Sequence, residues 1–306
     1  MFKLILLPTL FLMSMESFSM GSKRMKVTAP TKQLAEYVVI LGIDGLGGHN
    51  LKKGDLYKHL PNLMALRANS AWTEKAAIDL FSLSGPNWAA MQTGSRSSKH
   101  KVLNNECQRG KGLPTIFDQI KKYKPELTTA TVANWDKIAC YSKEGSIDTK
   151  IKTQSDEATT EKTIELIKKE APNFLFVHFD DVDHYGHSSG KGNTPEYNTA
   201  VIKTDKRIGK VVKALKEKGI FKDTLIIVVA DHGHGLYAGG HSSGLHPVPL
   251  YLHHKNFIKG EMKRRVIPSK QLRVNLVAPV SAYFLGIPDA KEWQYSSKAL
   301  LPYILN

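Results

Sequence analysis

Cysteine is scarce in this chain: Cys107 and Cys140 are the only two in 306 residues, and no Cys-x-x-Cys pair occurs. A disulfide-built scaffold and a thiolate zinc finger are therefore excluded. Acidic residues are in the minority, 28 Asp and Glu against 43 Lys and Arg, for a net charge of +15. That balance points to anionic substrates or partners and says nothing of fold. After the first twenty residues, no segment approaches the apolar length of a membrane-spanning helix. Internal repeats, low-complexity tracts and a basic-aromatic nucleic-acid motif are also missing, so no nucleic-acid-reading module is expected. With 42% hydrophobic and 23% charged residues the chain is not globally disordered. Its chemistry falls to oxygen and imidazole groups.

Residues 1–20 differ from all that follows. Lys3 precedes a nearly apolar stretch from Leu4 to Met13, and Ser17-Phe18-Ser19 supplies small residues two apart. This pattern predicts a cleaved signal peptide, and hence export to a periplasm or the medium. Loss of Lys3 and Glu16 leaves the charge unchanged. Export makes a Cys107–Cys140 disulfide possible, with two buried thiols as the alternative. Residues 21–36 are polar and basic, contain Pro30, and are expected to be a linker; 37–306 is expected to be a single catalytic domain.

From Tyr37 on, short apolar runs alternate with amphipathic stretches. Tyr37–Ile43, Thr128–Asn134, Phe174–Phe179 and Thr224–Ala230 have the unalternating β-rich character of parallel strands covered on both faces. Helices are predicted at Pro61–Asn69, Pro114–Tyr123, Asp156–Lys169 and Pro195–Lys218, with another over Arg273–Leu285 interrupted by Pro279. The fold class is α/β, with a predominantly parallel central sheet and helices on both faces.

Three of these strands run directly into acidic residues: Asp44-Gly45, Asp180-Asp181-Val182-Asp183-His184-Tyr185-Gly186-His187, and Asp231-His232-Gly233. Open α/β sheets bind ligands at the carboxyl ends of their strands. Nine of the twelve histidines follow residue 170, most of them beside an acid or a glycine. Asp and His together form the donor set that zinc-like metals prefer. Each member has an ordinary explanation as a helix cap, a turn former or a surface ion pair, but these do not require so many imidazoles beside strand-end acids. A second element, Leu83-Ser84-Gly85-Pro86-Asn87-Trp88, sets a hydroxyl at a helix start. Alone it is an N-cap; beside a metal it would be a nucleophile.

This set of motifs resembles the alkaline phosphatase superfamily, and within it the type I phosphodiesterase/nucleotide pyrophosphatase family, from Tyr37 to about Leu285. The resemblance implies an alkaline-phosphatase-like fold and a metal-dependent phosphoric ester hydrolase acting on an anionic small-molecule phosphate ester. It further implies two divalent metal ions, most simply Zn2+. Asp183, His187 and His241 would hold one, and Asp44, Asp231 and His232 the other. Ser84 would be the nucleophile, passing through a phosphoserine intermediate, with Asn105 (or Asn104) and the Gly85 amide contacting phosphoryl oxygens. His246 is the alternative to His241 as last ligand.

Eight residues separate His232 from His241, where many nucleotide-cleaving relatives carry a long insertion shaping the substrate pocket. A sulfatase would need an arginine where Trp88 stands. A phosphate monoesterase would use a Lys-x-Arg pair, approached here only by Lys150 and Lys152, and phosphonate hydrolysis is open on the same scaffold. The reading from a different class is a basic polyanion binder gripping through Lys121-Lys122-Tyr123-Lys124 and Lys263-Arg264-Arg265. Such a binder would not need a complete ligand set.

Overall fold

Tyr37–Ile43 forms β1, and six of its seven residues are buried, as a strand covered on both faces requires. The computed structural model describes residues 33–79, 82–107, 113–236, 246–262 and 272–294. The expected signal peptide (1–20), most of the expected linker, His241 and the Lys263-Arg264-Arg265 run lie outside the described residues. Residues 34 and 35, at the end of the expected linker, donate their N–H groups to Phe284 O.

The sheet continues with β2 (Ala71–Ala76), β3 (Thr129–Ala133), β4 (Thr149–Lys152), β5 (Phe174–Phe179), β6 (Thr224–Val229), β7 (Val248–His253) and β8 (Gly260–Glu261). The spatial order is β4-β3-β5-β1-β6-β7-β2-β8. Strands β4, β3, β5, β1 and β6 are mutually parallel; β7 runs antiparallel to both β6 and β2. This is the expected α/β fold with an antiparallel element at one side.

Helices α1 (Gly48–Lys52), α2 (Pro61–Ala68), α3 (Ser84–Thr93), α4 (Ser97–His100), α5 (Ile116–Tyr123), α6 (Asp156–Lys169), α7 (Asp181–Ser188), α8 (Pro195–Glu217) and α9 (Val277–Phe284) surround it. Helices α2, α6 and α7 each pack on α8, while α3, α5 and α9 pack on one another. Local chemistry explains several boundaries. Thr115 and Asp118 make a reciprocal capping box that starts α5 two residues after the expected Pro114. Thr194 caps α8, and Pro195 occupies its first turn, where no intrahelical N–H bond is lost. Pro279 does not interrupt α9, because it is the third residue of that helix and its missing N–H would have been unpaired anyway.

The sequence reading missed β2 and β7 for identifiable reasons. In β2, Glu74 is 3% exposed, and its carboxylate is paired with Arg67 at 3.0 Å and Lys52 at 3.5 Å. In β7, Pro249 would normally demote a strand. It is accommodated opposite a shift of register between Thr73 and Ala76 of β2.

Candidate active site

Strand register assembles the site. Ile43 of β1 stands beside Phe179 of β5, and Gly42 beside Val229 of β6. The residues just past these strands, Asp44, Asp180 and Asp231, therefore emerge at one edge of the sheet. Helix α7 begins directly after β5, placing Asp183 and His187 one turn apart with Oδ2 and Nε2 separated by 3.4 Å. Gly45 lets the end of β1 pass close beneath this helix: its φ is +74°, and a Cβ there would lie 2.7 Å from Asp183 Cα. The Gly45 N–H donates to Asp231 Oδ1 at 3.2 Å, tying two strand ends together.

His232 sits at the centre. Its Nε2 is 3.3 Å from Asp44 Oδ1, 3.4 Å from Asp231 Oδ2 and 3.8 Å from Asp183 Oδ1. Ser84, the first residue of the fully buried helix α3, brings its Oγ within 3.4 Å of Asp44 Oδ1 and 3.3 Å of His232 Nε2. The helix N-terminus adds positive potential where an anion would bind. Asp44, Asp183, His187, Asp231, His232 and Ser84 thus converge; His241 lies outside the described residues. His246, the alternative ligand, packs its ring on His49 with centroids 4.7 Å apart.

Three contributors were not foreseen. His234 is fully buried and its Nε2 lies 2.7 Å from Asp183 Oδ1. Its spacing in Asp231-His232-Gly233-His234 was a usable signal. His178, a polar break in the apolar run of β5, meets Asp44 Oδ2 at 3.0 Å. Trp88 Nε1 meets the same oxygen at 3.2 Å; an indole inside a helix carries no sequence signal of that role.

The donor chemistry fits divalent metal. Ligand atoms of Asp183, His187 and His234 lie within 4.8 Å of one another, as do those of Asp44, Asp183 and His232, and those of Asp44, His178 and Asp180. Burial, and then the charges of Asp44 and Asp183, push the Asp231 carboxyl well up. Its Oδ2 is buried and accepts no hydrogen bond from the described residues. Burial likewise lowers His232, favouring the neutral imidazole that a metal requires. Burial opposes ionisation of Asp183, but hydrogen bonds from His187 and His234 outweigh it and hold that carboxyl below its ordinary range. The crowded, largely buried carboxylates of Asp44, Asp183 and Asp231 around the His232 imidazole form a site whose charge a bound cation would balance.

The side expected to contact phosphoryl oxygens is less open than the resemblance implied. The Gly85 N–H is directed not into the cleft but to Asn105 Oδ1, at 2.8 Å. Asn105 is further fixed by Lys137 Nζ, which donates to its carbonyl at 2.6 Å. Asn104 Oδ1 instead accepts the Glu106 N–H at 3.0 Å, which separates the two asparagines by role. Cys107 and Cys140 form a disulfide, Cα atoms 5.7 Å apart, resolving the choice between a disulfide and two thiols. Lys152 is paired with Asp136 at 2.8 Å. Within the proposed polyanion-gripping run, Lys121 is paired with Asp148 at 2.7 Å and Lys124 bonds Gln33 at 2.6 Å.

Comparison with known proteins adds an independent line. The family model described as type I phosphodiesterase / nucleotide pyrophosphatase matches residues 38–129 and 114–246. An uncharacterized pyrophosphatase/phosphodiesterase of Schizosaccharomyces pombe is 24% identical over 224 residues, 64% of this chain and 44% of that protein. Ectonucleotide pyrophosphatase/phosphodiesterase family member 3 of Mus musculus is 22% identical over 218 residues, 69% of this chain and 21% of that protein. The chain thus spans less than half the length of these curated relatives. Among solved structures, murine ectonucleotide pyrophosphatase/phosphodiesterase 5, an inactive variant in complex with AMP, superposes with a TM-score of 0.70 at 13% identity, covering 88% of this chain and 100% of that one. A 2-O GAG sulfatase gives 0.69 at 12% identity over 88% of this chain and 74% of that one. At such identities the likeness concerns the fold.

Proposed function

The chain belongs to the type I phosphodiesterase/nucleotide pyrophosphatase family, and from that premise we propose that it is an exported, metal-dependent phosphodiesterase acting on small anionic phosphate esters through Ser84. The observation that carries the reading is the approach of Ser84 Oγ to Asp44 Oδ1 and His232 Nε2, at 3.4 and 3.3 Å, where three parallel strands end. Export is supported by the character of residues 1–20. No helix among the described residues is long and apolar enough to cross a membrane.

Asp44, Asp231 and His232 would hold one cation, and Asp183 and His187 another, with His234 and His241 as candidates to complete the second set. Zinc is the metal best suited to carboxylate and imidazole donors. When bound, such ions lower the pKa of an alcohol and offset charge on phosphoryl oxygens. Ser84 Oγ, once deprotonated, attacks phosphorus in line; the Oγ–P bond forms, the P–O bond to the alcohol breaks, and the departing oxygen takes a proton. Water then cleaves the bond between Ser84 Oγ and phosphorus in this phosphoseryl ester, which still carries the second ester group, restoring the hydroxyl and releasing the phosphomonoester. Asn105 donates from Nδ2 to a non-bridging oxygen, while the Gly85 N–H orients the Asn105 amide rather than contacting phosphate. The net charge of +15 favours encounter with anionic esters, an effect that salt weakens.

The test is hydrolysis of bis-p-nitrophenyl phosphate against p-nitrophenyl phosphate by the zinc-loaded protein, with Ser84→Ala alongside. Faster diester cleavage, lost in Ser84→Ala while its metal content persists, is the expected result. Faster monoester cleavage would overturn diester preference, and full activity in Ser84→Ala would remove Ser84 as nucleophile.

A further inference from the structure

Asp44 meets two ring N–H groups that the reaction above does not use. His178 Nε2 lies 3.0 Å and Trp88 Nε1 3.2 Å from Asp44 Oδ2. Ser84 Oγ and His232 Nε2 approach the other oxygen, Oδ1, at 3.4 and 3.3 Å. The carboxylate is therefore divided, one oxygen held by the protein and one turned to the cleft. The indole N–H can only donate, and an ionised carboxylate can only accept, so His178 presents its protonated nitrogen to Asp44.

The holding pair is built into the core. His178 and Trp88 are both 0% exposed. His178 stands beside Gly42 in the β1–β5 register. A Cβ at Gly42 would lie 2.8 Å from Trp88 Cη2, so the glycine makes the space in which the indole reaches Asp44. The Trp88 ring meets His178 edge to face at 5.3 Å and Phe176 at 5.6 Å, which fixes both planes.

We propose that His178 and Trp88 are positioning residues that hold Asp44 in a one-oxygen binding mode for the cation beside Ser84. A carboxylate free to turn could offer either oxygen, or both, to a metal; two donors on Oδ2 leave only Oδ1 available. This inference rests on Asp44 being a metal ligand, and its test separates the two claims.

Zinc affinity would be measured by competition with a chromophoric chelator for the wild-type chain, His178→Leu, His178→Gln and Trp88→Phe, each with a thermal melt of the metal-free protein. The wild type is expected to bind two equivalents. His178→Leu and Trp88→Phe should each weaken one equivalent by roughly 10–100-fold and leave the other unchanged, as loss of partners behind a metal ligand does. His178→Gln, whose amide N–H can reach Asp44, should recover most of the loss, which a purely structural role for the ring would not produce. Folded Leu and Phe variants with wild-type affinity at both sites would overturn the proposal. So would a Gln variant as weak as Leu, or a third wild-type equivalent lost in the His178 variants, which would make His178 a direct ligand with Asp44 and Asp180. If His178→Leu does not fold, Trp88→Phe and His178→Gln decide the matter. A wild-type chain that binds no zinc would overturn the metal reading itself.

Discussion

Gly85 and Asn105, twenty residues apart, are joined by a backbone N–H bond of 2.8 Å to the side-chain amide oxygen. The amide is thereby fixed with Oδ1 toward helix α3, and Nδ2 is left to donate elsewhere. Asn105→Asp preserves the acceptor for Gly85 and removes the donor. Its kcat/KM for a phosphodiester should fall about 10²–10³-fold with little change in Tm, the size expected for one lost transition-state donor. Unchanged kinetics would take Asn105 out of contact with the phosphoryl group.

The Cys107–Cys140 disulfide closes a separation of 33 residues and ends two residues from Asn105. Reduction, or Cys107→Ser with Cys140→Ser, should cost about 3–4 kcal/mol by the loop-entropy argument. It should also raise KM or lower kcat by loosening the Asn105 loop. Urea unfolding and steady-state kinetics with and without dithiothreitol check both effects. Loss of stability with wild-type kinetics would show that Lys137 and Gly85 suffice to hold the loop.

Arg207 anchors the start of α7. Its Nη1 lies 2.6 Å from Asp181 Oδ2 and 3.4 Å from Asp156 Oδ2. Asp156 in turn accepts the N–H groups of Asp180 and Asp181 at 2.8 and 3.0 Å. Burial, and then Asp181, already push the Asp156 carboxyl up. Arg207→Met removes the compensating cation and should destabilise the fold by about 3–5 kcal/mol. Because α7 carries Asp183 and His187, zinc affinity should fall as well. A urea midpoint equal to wild type would show that the backbone amides alone stabilise Asp156.

His254 provides a pH test outside the proposed metal-ligand set. Burial, and then Lys255 and His253, lower its pKa from the usual 6.5 to about 4. Its Nδ1 accepts the Asn256 N–H at 3.3 Å, and its ring packs edge-on to Phe284 with centroids 5.0 Å apart. The fold therefore favours the neutral ring, while the unfolded chain takes up a proton near pH 6.5. Its contribution is complete above pH 6.5 and is lost as pH falls toward 4. His254→Gln should cost stability at pH 7.5 and progressively less between pH 6.5 and 4.5, as read from thermal melts. Parallel wild-type and variant profiles would contradict this.

Much of this architecture is legible without coordinates, and the exceptions are instructive. Strands β1, β3, β5 and β6 are buried on both faces, and their largely β-branched and apolar composition marks them to within a residue or so. Strands β2 and β7 carry Glu74 and Pro249, which local rules disfavour and which only pairing with Arg67 and Lys52, or a register shift, makes acceptable. In the site, Asp44, Asp183, His187, Asp231 and His232 stand out because acids and imidazoles at strand ends form a pattern, whereas Ser84, at a helix start, gains its meaning only beside them. Trp88 does not, since its part depends on Gly42, forty-six residues earlier in the chain, leaving room for the ring. The use of the Gly85 N–H by Asn105 was equally hidden, because the direction of a backbone donor is set by tertiary placement.

The register of the three central strands has a kinetic meaning. Asp44 and Asp231 are 187 residues apart in sequence, yet neighbours through β1 and β6. No contiguous piece of the chain holds the cleft, and contacts of such long range form slowly. A nascent chain would not bring Asp231 and His232 beside Asp44 until β6 has been synthesised and has docked against β1. Cation capture would then report a finished central sheet rather than guide its assembly, and folding would precede loading.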